Sequence, residues 1–260
     1  MIYLATRTLS PAIQPFLRLE IRRVLRNRRF LIFTIGFPLV FYLLYTVAGL
    51  GHEAGDPMID GIRWSAYFMV SMGTFAAMSG AFIVGGVRLS MERSSGWVRQ
   101  LRVTPMPAVA YLVGKVLVAL AIILPGLVLI GAAGVLANGV ALPAGTWVRL
   151  FLSVWLGSLP LVALAILIGY LFDVDSAQAA QMLILFGLAL FGGLFVPVQS
   201  LPDALATIAR MTPSYQLGDL GWRALHGQAP DLAGLALLAG YTALFGGLVA
   251  WRYRTDERRR

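Results

Sequence analysis

Arg88-Leu-Ser-Met-Glu-Arg-Ser-Ser-Gly-Trp-Val-Arg-Gln-Leu-Arg-Val-Thr-Pro-Met-Pro107 is the polar interruption around which the first half of this chain is arranged. Long apolar runs flank it on both sides. It carries Arg88, Arg93, Arg99 and Arg102 against one acid, Glu92. It is too short to fold alone and too charged to rest in lipid, which makes it a loop between two membrane helices. A short helix here would place Trp97 and Leu101 four residues apart beside Val98, an apolar knob rimmed by Arg93, Arg99 and Arg102. An aromatic anchor with a basic rim suits docking into a pocket on a partner. A loop lying flat on lipid is the other reading.

The remaining sequence supports a membrane setting. Of the 260 residues, 58% are hydrophobic and only 13% charged, and the mean hydropathy is +0.78. Soluble domains run about 45–50% apolar with roughly 25% charged. One soluble core of this size cannot hide that excess, so the predicted class is an all-α integral membrane protein. The sequence has no cysteine, hence no disulfide framework and no thiolate metal site. The histidines, His52 and His226, are far apart and read as solvated polar residues rather than ligands.

Six spans are predicted: about 30–50, 64–87, 108–136, 147–172, 177–196 and 232–251. The 30–50 run exceeds the 7–15 apolar residues of a signal peptide. Pro38 falls within span one and Pro125 within span three, where it predicts a kink. Trp64 and Tyr67 read as interfacial anchors. Gly73 with Ala77, Ala76 with Gly80, and Ala81 with Gly85 place small residues four apart, the spacing that lets helix backbones approach. Lys115 lies near one end of span three. A buried lysine would be a functional signal; snorkelling to the headgroups is the reading adopted for it.

Residues 1–29 form a tail whose Ile13, Leu17, Ile21 and Val24 share one side of a helix and whose Arg18, Arg22, Arg26 and Arg29 share another. Such a helix lies in the interface with its arginines toward anionic lipid; the alternative is a basic flank without defined helix. Residues 30–260 form the spanning domain. In it, 197–231 is too broken by Pro and Gly to cross. Ser200 is a candidate cap with Pro202 and Asp203 in the first turn, Pro213 ends that helix, and a second runs from Ser214 to Leu225. The pair either re-enters the membrane or lies on its surface.

With the termini inside, the inner segments carry sixteen arginines and the outer ones four (Arg63, Arg149, Arg210, Arg223). The positive-inside rule then places both termini in the cytoplasm. The Asp173–Ser176 turn, inner but acidic, runs against the trend. No G-x-x-x-x-G-K-[ST], H-E-x-x-H or G-x-S-x-G pattern occurs, and no acid falls mid-span. An ion-coupled transporter and a membrane hydrolase both lack their chemistry here, and the basic charge is distributed for a membrane face rather than nucleic acid.

Glu92-Arg-Ser-Ser-Gly96-Trp-Val-Arg-Gln-Leu101-Arg-Val-Thr-Pro105 resembles the E-R-x-x-G signature, closed by T-P, of ABC-2 type transporter permeases. Asp175-Ser-Ala-Gln178-Ala-Ala-Gln181 is similar to that family's entry into span five. Gly192-Gly-Leu-Phe-Val-Pro197, Leu201-Pro202 and Thr212-Pro213-Ser-Tyr215 before Arg223-Ala-Leu resemble the stretch after it. Each motif is loose; their joint order covers nearly the whole chain. The compact form is most similar to the drug-resistance permeases of the daunorubicin-exporter type. Trp97 and Arg99 depart from the family pattern, which bears on which partner the loop fits.

The resemblance implies a permease subunit that binds no cofactor itself, with ATP and magnesium in a separate ATP-binding subunit, paired with a second, identical or different, permease subunit in a prokaryotic plasma membrane. Glu92, Arg93, Gly96, Trp97, Arg99 and Leu101 would couple to the ATPase, flanked by the helix bearing Arg18, Arg22 and Arg26. Pro197, Pro202, Pro213 and Tyr215 would belong to an outer gate. Phe68, Met72, Phe75, Met182, Phe186 and Phe191, on spans two and five, would line a path for a hydrophobic or amphipathic compound; facing lipid is their other reading. A glycan or lipid-linked polymer is the second cargo class, and a six-span structural or regulatory protein that moves nothing is the rival outside transport.

Overall fold

The computed structural model describes residues 18–23, 26, 28–48, 56–59, 61–97 and 108–258. Residues 18–23 are helical. Among the described residues the helices with defined bounds that follow are α1 (Arg28–Thr46), α2 (Trp64–Gly85), α3 (Val87–Ser94), α4 (Ala108–Asn138), α5 (Ala144–Gly157), α6 (Leu159–Leu171), α7 (Val174–Phe191), α8 (Asp203–Met211), α9 (Pro213–Leu225) and α10 (Leu232–Arg258). The loop before α2 contains a small antiparallel hairpin, β1 (Met58–Ile59) with β2 (Ile62–Arg63). Gly61 turns it at φ +81°, where a side chain would be strained. The protein is an all-α integral membrane protein. Among the described residues, five stretches are long and apolar enough to cross a bilayer: 64–94, 110–138, 144–171, 174–191 and 232–253. In α1 the described apolar stretch is the shorter Ile35–Thr46.

The bundle is built around α2, every residue of which is buried. Lipid offers no hydrophobic drive for helices to associate, so close backbone approach must supply the attraction. The small residues of α2 do this. Along α4, running antiparallel, Gly80 meets Ile123, Ala76 meets Gly126 and Gly73 meets Leu127. On another side α6 crosses at Gly85, where a Cβ would fall 2.6 Å from the Ile166 nitrogen. Gly169 is pressed against the Gly85 carbonyl at the same crossing.

Some predicted boundaries move for identifiable reasons. Span four is two helices, broken at Ser158 because Pro160, in the first turn of α6, has no N–H to continue the ladder. Span five stops at Phe191 rather than residue 196, since Gly192–Gly193, with Gly193 at φ +74°, turns the chain. It starts earlier, at Val174, because Asp173 caps it by accepting from the Ser176 N–H at 2.8 Å. Hydrogen bonding from the Ser176 side chain, and then from its N–H, holds the Asp173 carboxyl below the usual carboxylate range. α4 runs continuously through Pro125.

Trp64 and Tyr67 are not interfacial anchors. Both are buried, Trp64 stacked on Phe68 at 5.0 Å. Tyr67 lies parallel to the Trp222 ring of α9 at 4.8 Å, and the Trp222 indole N–H donates to the Tyr67 carbonyl. α9 is therefore inserted into the bundle, whereas α8 is largely exposed. Ser200 caps nothing: it closes a 3-10 turn (Val198–Ser200), and Pro202 stands before the first residue of α8. Pro213 does not end α8 but begins α9, capped by Thr212, which accepts from the Tyr215 N–H.

Candidate functional site

The Trp222–Tyr67 stack sits at the first turn of α2. Eighteen residues on, about 27 Å along the helix axis, α2 ends at Gly85, and the chain breaks at Gly86 and turns into α3. Gly86 is required there because the Gln181 side chain of α7 reaches in and accepts from the Val87 N–H at 3.3 Å. The eight residues of α3 are too few to be stable alone, so what surrounds them sets their position.

Two sets of contacts do this. One side of α3 closes the end of α6. The Arg93 guanidinium donates to the Gly169 and Tyr170 carbonyls at 2.9 and 2.7 Å and lies 5.4 Å from the centre of the Tyr170 ring. The Ser90 hydroxyl donates to the Phe172 carbonyl at 2.6 Å. These are carbonyls that a helix end leaves without an internal partner, and a cation there also suits the helix dipole.

The other side holds a buried ion cluster. Lys115, the one lysine of the chain, comes from the second turn of α4 and is wholly buried. Its Nζ donates to Glu92 Oε1 at 2.7 Å and to Glu20 Oε2 at 3.2 Å. Tyr111, one turn earlier, donates its hydroxyl to Glu92 Oε2 at 2.9 Å. Arg88 lies 3.6 Å from each carboxylate, and Arg23 is 3.8 Å from Glu20 Oε1. Two carboxylates thus face one ammonium and one guanidinium inside, with a second guanidinium at the rim. Charges taken out of water persist only when matched and hydrogen-bonded; here three of the four carboxylate oxygens accept a hydrogen bond, and the fourth, Glu20 Oε1, faces only the Arg23 guanidinium at 3.8 Å.

Lys115 does not snorkel. The interior offers it two carboxylates, which desolvate it at lower cost than an unpaired burial would. Glu92 and Arg93 are likewise turned into the chain rather than outward to form a rim. The sequence reading missed Glu20 as a partner. Its signal was present: it is the one acid among the arginines of the N-terminal segment, as Glu92 is in the loop.

The surface left open at this end is mixed. Arg18, Arg22 and Arg26 are exposed, as are Leu19, Ser94 and Ser95, and Met91 is 54% exposed. Gly96 turns the chain at φ +74° with open space around it. Trp97 is half-buried, the Arg23 guanidinium 5.6 Å from its ring centre. Arg99, Leu101 and Arg102, and the helix turns predicted before residue 18, lie outside the described residues. Among the described residues no three His, Asp or Glu side chains converge as a metal site would need. The cluster links residues 18–23, α3 and α4 through buried ion pairs.

The residues predicted to line a path divide. Phe68, Met72 and Phe75 are buried within the chain, because α2 is its central helix. Met182, Phe186 and Phe191 of α7 are exposed. Phe75 and Phe186 nonetheless meet at 5.7 Å, in an aromatic cluster with Phe37, Phe41 and Phe195. Pro197 immediately precedes the 3-10 turn and Pro202 immediately precedes α8. Tyr215, next to Pro213, packs on the small cluster of Val198, Ala206 and Ala209 and against Trp222.

Residues 60–251 match the family model described as ABC-2 family transporter protein. The chain is also similar to a Bacillus subtilis (strain 168) protein named "Putative transport permease YvfS", with 30% identity over 238 residues, 92% of this chain and 95% of that one. With the family match covering most of the chain and the relative aligned nearly end to end, this protein belongs to the ABC-2 family of transporter proteins.

Proposed function

We propose that the chain is the permease subunit of an ATP-driven exporter, crossing the plasma membrane six times with both termini cytoplasmic. Residues 88–107 seat on a separate ATP-binding subunit, which holds ATP and magnesium. The observation that carries this reading is the buried Glu20–Lys115–Glu92–Arg88 cluster. It makes α3 a handle: exposed residues on its outer side, and fixed bonds to α4, α6 and the N-terminal segment on its inner side. A docking element that moves without dragging helices with it transmits nothing; this one is tied to them.

A second permease subunit, identical or different, pairs with this one, and the path runs between them beside α7. Its exposed Met182, Phe186 and Phe191 suit a hydrophobic or amphipathic, drug-like cargo. α9, packed on Tyr67 about 27 Å along α2 from the docking end, forms the outer gate together with the 3-10 turn and α8.

The test is a mild-detergent pull-down of the tagged chain from its native membrane. A P-loop ATPase should come with it, and Met91→Glu with Arg22→Glu should release that ATPase while the permease stays folded and inserted. A clean homomer without an ATPase overturns the proposal. Labelling of Ser95→Cys by an impermeant thiol reagent from outside overturns the orientation. Cargo is read separately, from accumulation of hydrophobic dyes in cells with and without the Phe186→Ala chain.

A further inference from the structure

Between α5 and α6 on one side and α9 and α10 on the other lies a cleft of about 490 Å³. It opens where the break at Ser158 redirects the chain. Its walls are apolar, Leu152 and Leu156 from α5 and Leu235 and Leu238 from α10 among them, and Leu152 and Leu156 are about half exposed. The helices that form it, 144–171 and 232–253, are long and apolar enough to span a bilayer. The cleft therefore opens sideways into hydrocarbon, where acyl chains are the solvent. Its volume lies within the ~300–1,000 Å³ of ordinary ligand pockets.

Of the polar side chains in its lining, Ser153 and Thr242 donate back to the Leu150 and Leu238 carbonyls of their own helices. Arg149 and Gln228 stand at the mouth. The Arg149 guanidinium reaches the Thr146 hydroxyl at 3.3 Å and the Gly227 carbonyl at 3.4 Å, both long and both neutral. Among the described residues no carboxylate pairs with it. Arg63 and Arg223, by contrast, each have their acid, Asp56 at 3.9 Å and Asp219 at 2.7 Å. A guanidinium with no counter-ion, above an apolar slot open to lipid, fits an anionic group carrying a hydrocarbon tail. Arginine matches phosphate through paired N–H donors.

We propose that this cleft binds one acyl chain of an anionic phospholipid, with the headgroup phosphate on Arg149. The site is separate from the transport reading and stands whatever the cargo is. The experiment uses the full chain purified in mild detergent, with retained lipids quantified by mass spectrometry. Thermal stabilisation is then measured on adding back phosphatidylglycerol, phosphatidylcholine or inorganic phosphate. The expected result is a retained anionic phospholipid in near-stoichiometric amount and stabilisation by phosphatidylglycerol above phosphatidylcholine. Arg149→Gln should weaken phosphatidylglycerol binding by roughly tenfold, the scale of one charge-assisted contact, and leave phosphatidylcholine unchanged. Arg63→Gln should change neither. Ala239→Trp, which fills the slot, should lower retention of both; should it fail to fold, the Arg149→Gln comparison decides. Unchanged lipid preference in Arg149→Gln, or equal stabilisation by inorganic phosphate, overturns the proposal. So does ready disulfide cross-linking between two chains carrying Leu156→Cys, which would make the cleft a subunit contact.

Discussion

Lys115 Nζ lies 2.7 Å from Glu92 Oε1, and neither side chain reaches solvent to any useful extent: Lys115 is 0% exposed and Glu92 5%. The two are 23 residues apart, Glu92 on α3 and Lys115 on α4, so their pairing ties α3 to α4 across the intervening chain. Removing one partner leaves a bare charge inside, which costs about 3–5 kcal/mol. Lys115→Met should do the most harm, because it leaves Glu20 and Glu92 facing each other with only Arg88 between. Glu92→Gln should cost less, since Lys115 keeps Glu20. Melting temperatures of the detergent-purified chains measure the order. A Lys115→Met chain that melts with the native one would mean the cluster does not hold this end together.

At the Gly85 crossing the tolerance is smaller still. The neighbours of a Cβ there are backbone atoms, the Ile166 nitrogen at 2.6 Å and the Ala165 carbonyl carbon at 2.7 Å, which cannot rotate aside as a side chain does. Gly85→Ala should destabilise by about 1–3 kcal/mol through overpacking, and Gly85→Leu should abolish recovery of monodisperse protein. Gly187, on the exposed side of α7 with nothing near it, is the control: Gly187→Ala should be neutral or slightly stabilising. Size-exclusion profiles of the three variants compare them directly.

The long apolar helices, and Gly85 as one of the small residues that allow close approach, were readable in advance because both depend on local pattern: long apolar runs, and glycine or alanine every fourth residue; which helix crosses there was not. The ion cluster was not. Its members come from residue 20, from 88–92 and from 111–115, and only tertiary packing says that they meet. Lys115 looked like a snorkelling residue for the same reason, since a lone lysine near a helix end carries no mark of the carboxylates that await it. The central place of α2 was equally hidden. An evenly apolar helix has no preferred face, so Phe68 and Met72 looked as fit to line a path as Phe186. The break at Ser158, by contrast, was available from Pro160 and went unread.

Asp56 shows a cap supplied from outside its helix. Its carboxylate accepts from the Ser65 N–H at 2.8 Å and the Ser65 hydroxyl at 2.6 Å, in the first turn of α2, where a negative charge also suits the helix dipole. Arg63, the residue before the helix, has no side-chain bond of this kind. Asp56→Ala should cost about 1 kcal/mol and Asp56→Asn less, because the amide oxygen still accepts. A thermal-shift series on the two variants reads the difference; equal losses would assign the effect to charge alone.

Gly96 separates the fold from the proposed coupling. Its φ of +74° is in the left-handed region, where an ordinary side chain costs roughly 1–2 kcal/mol, yet nothing lies within 4 Å of its missing Cβ. Substitution therefore strains the turn without striking a neighbour. Gly96→Asn should be tolerated, since asparagine visits this conformation at little cost. Gly96→Pro, with φ held near about −65°, should redirect Trp97 away from Arg23 while α3 stays anchored by Arg93 and Glu92. The expected outcome is normal insertion and a melting temperature close to native, with loss of export and of the co-purifying ATPase. If Gly96→Pro exports normally at equal expression, the turn at Ser95–Gly96 is not part of the docking element, and the open surface around Met91 and Arg22 would have to carry it alone.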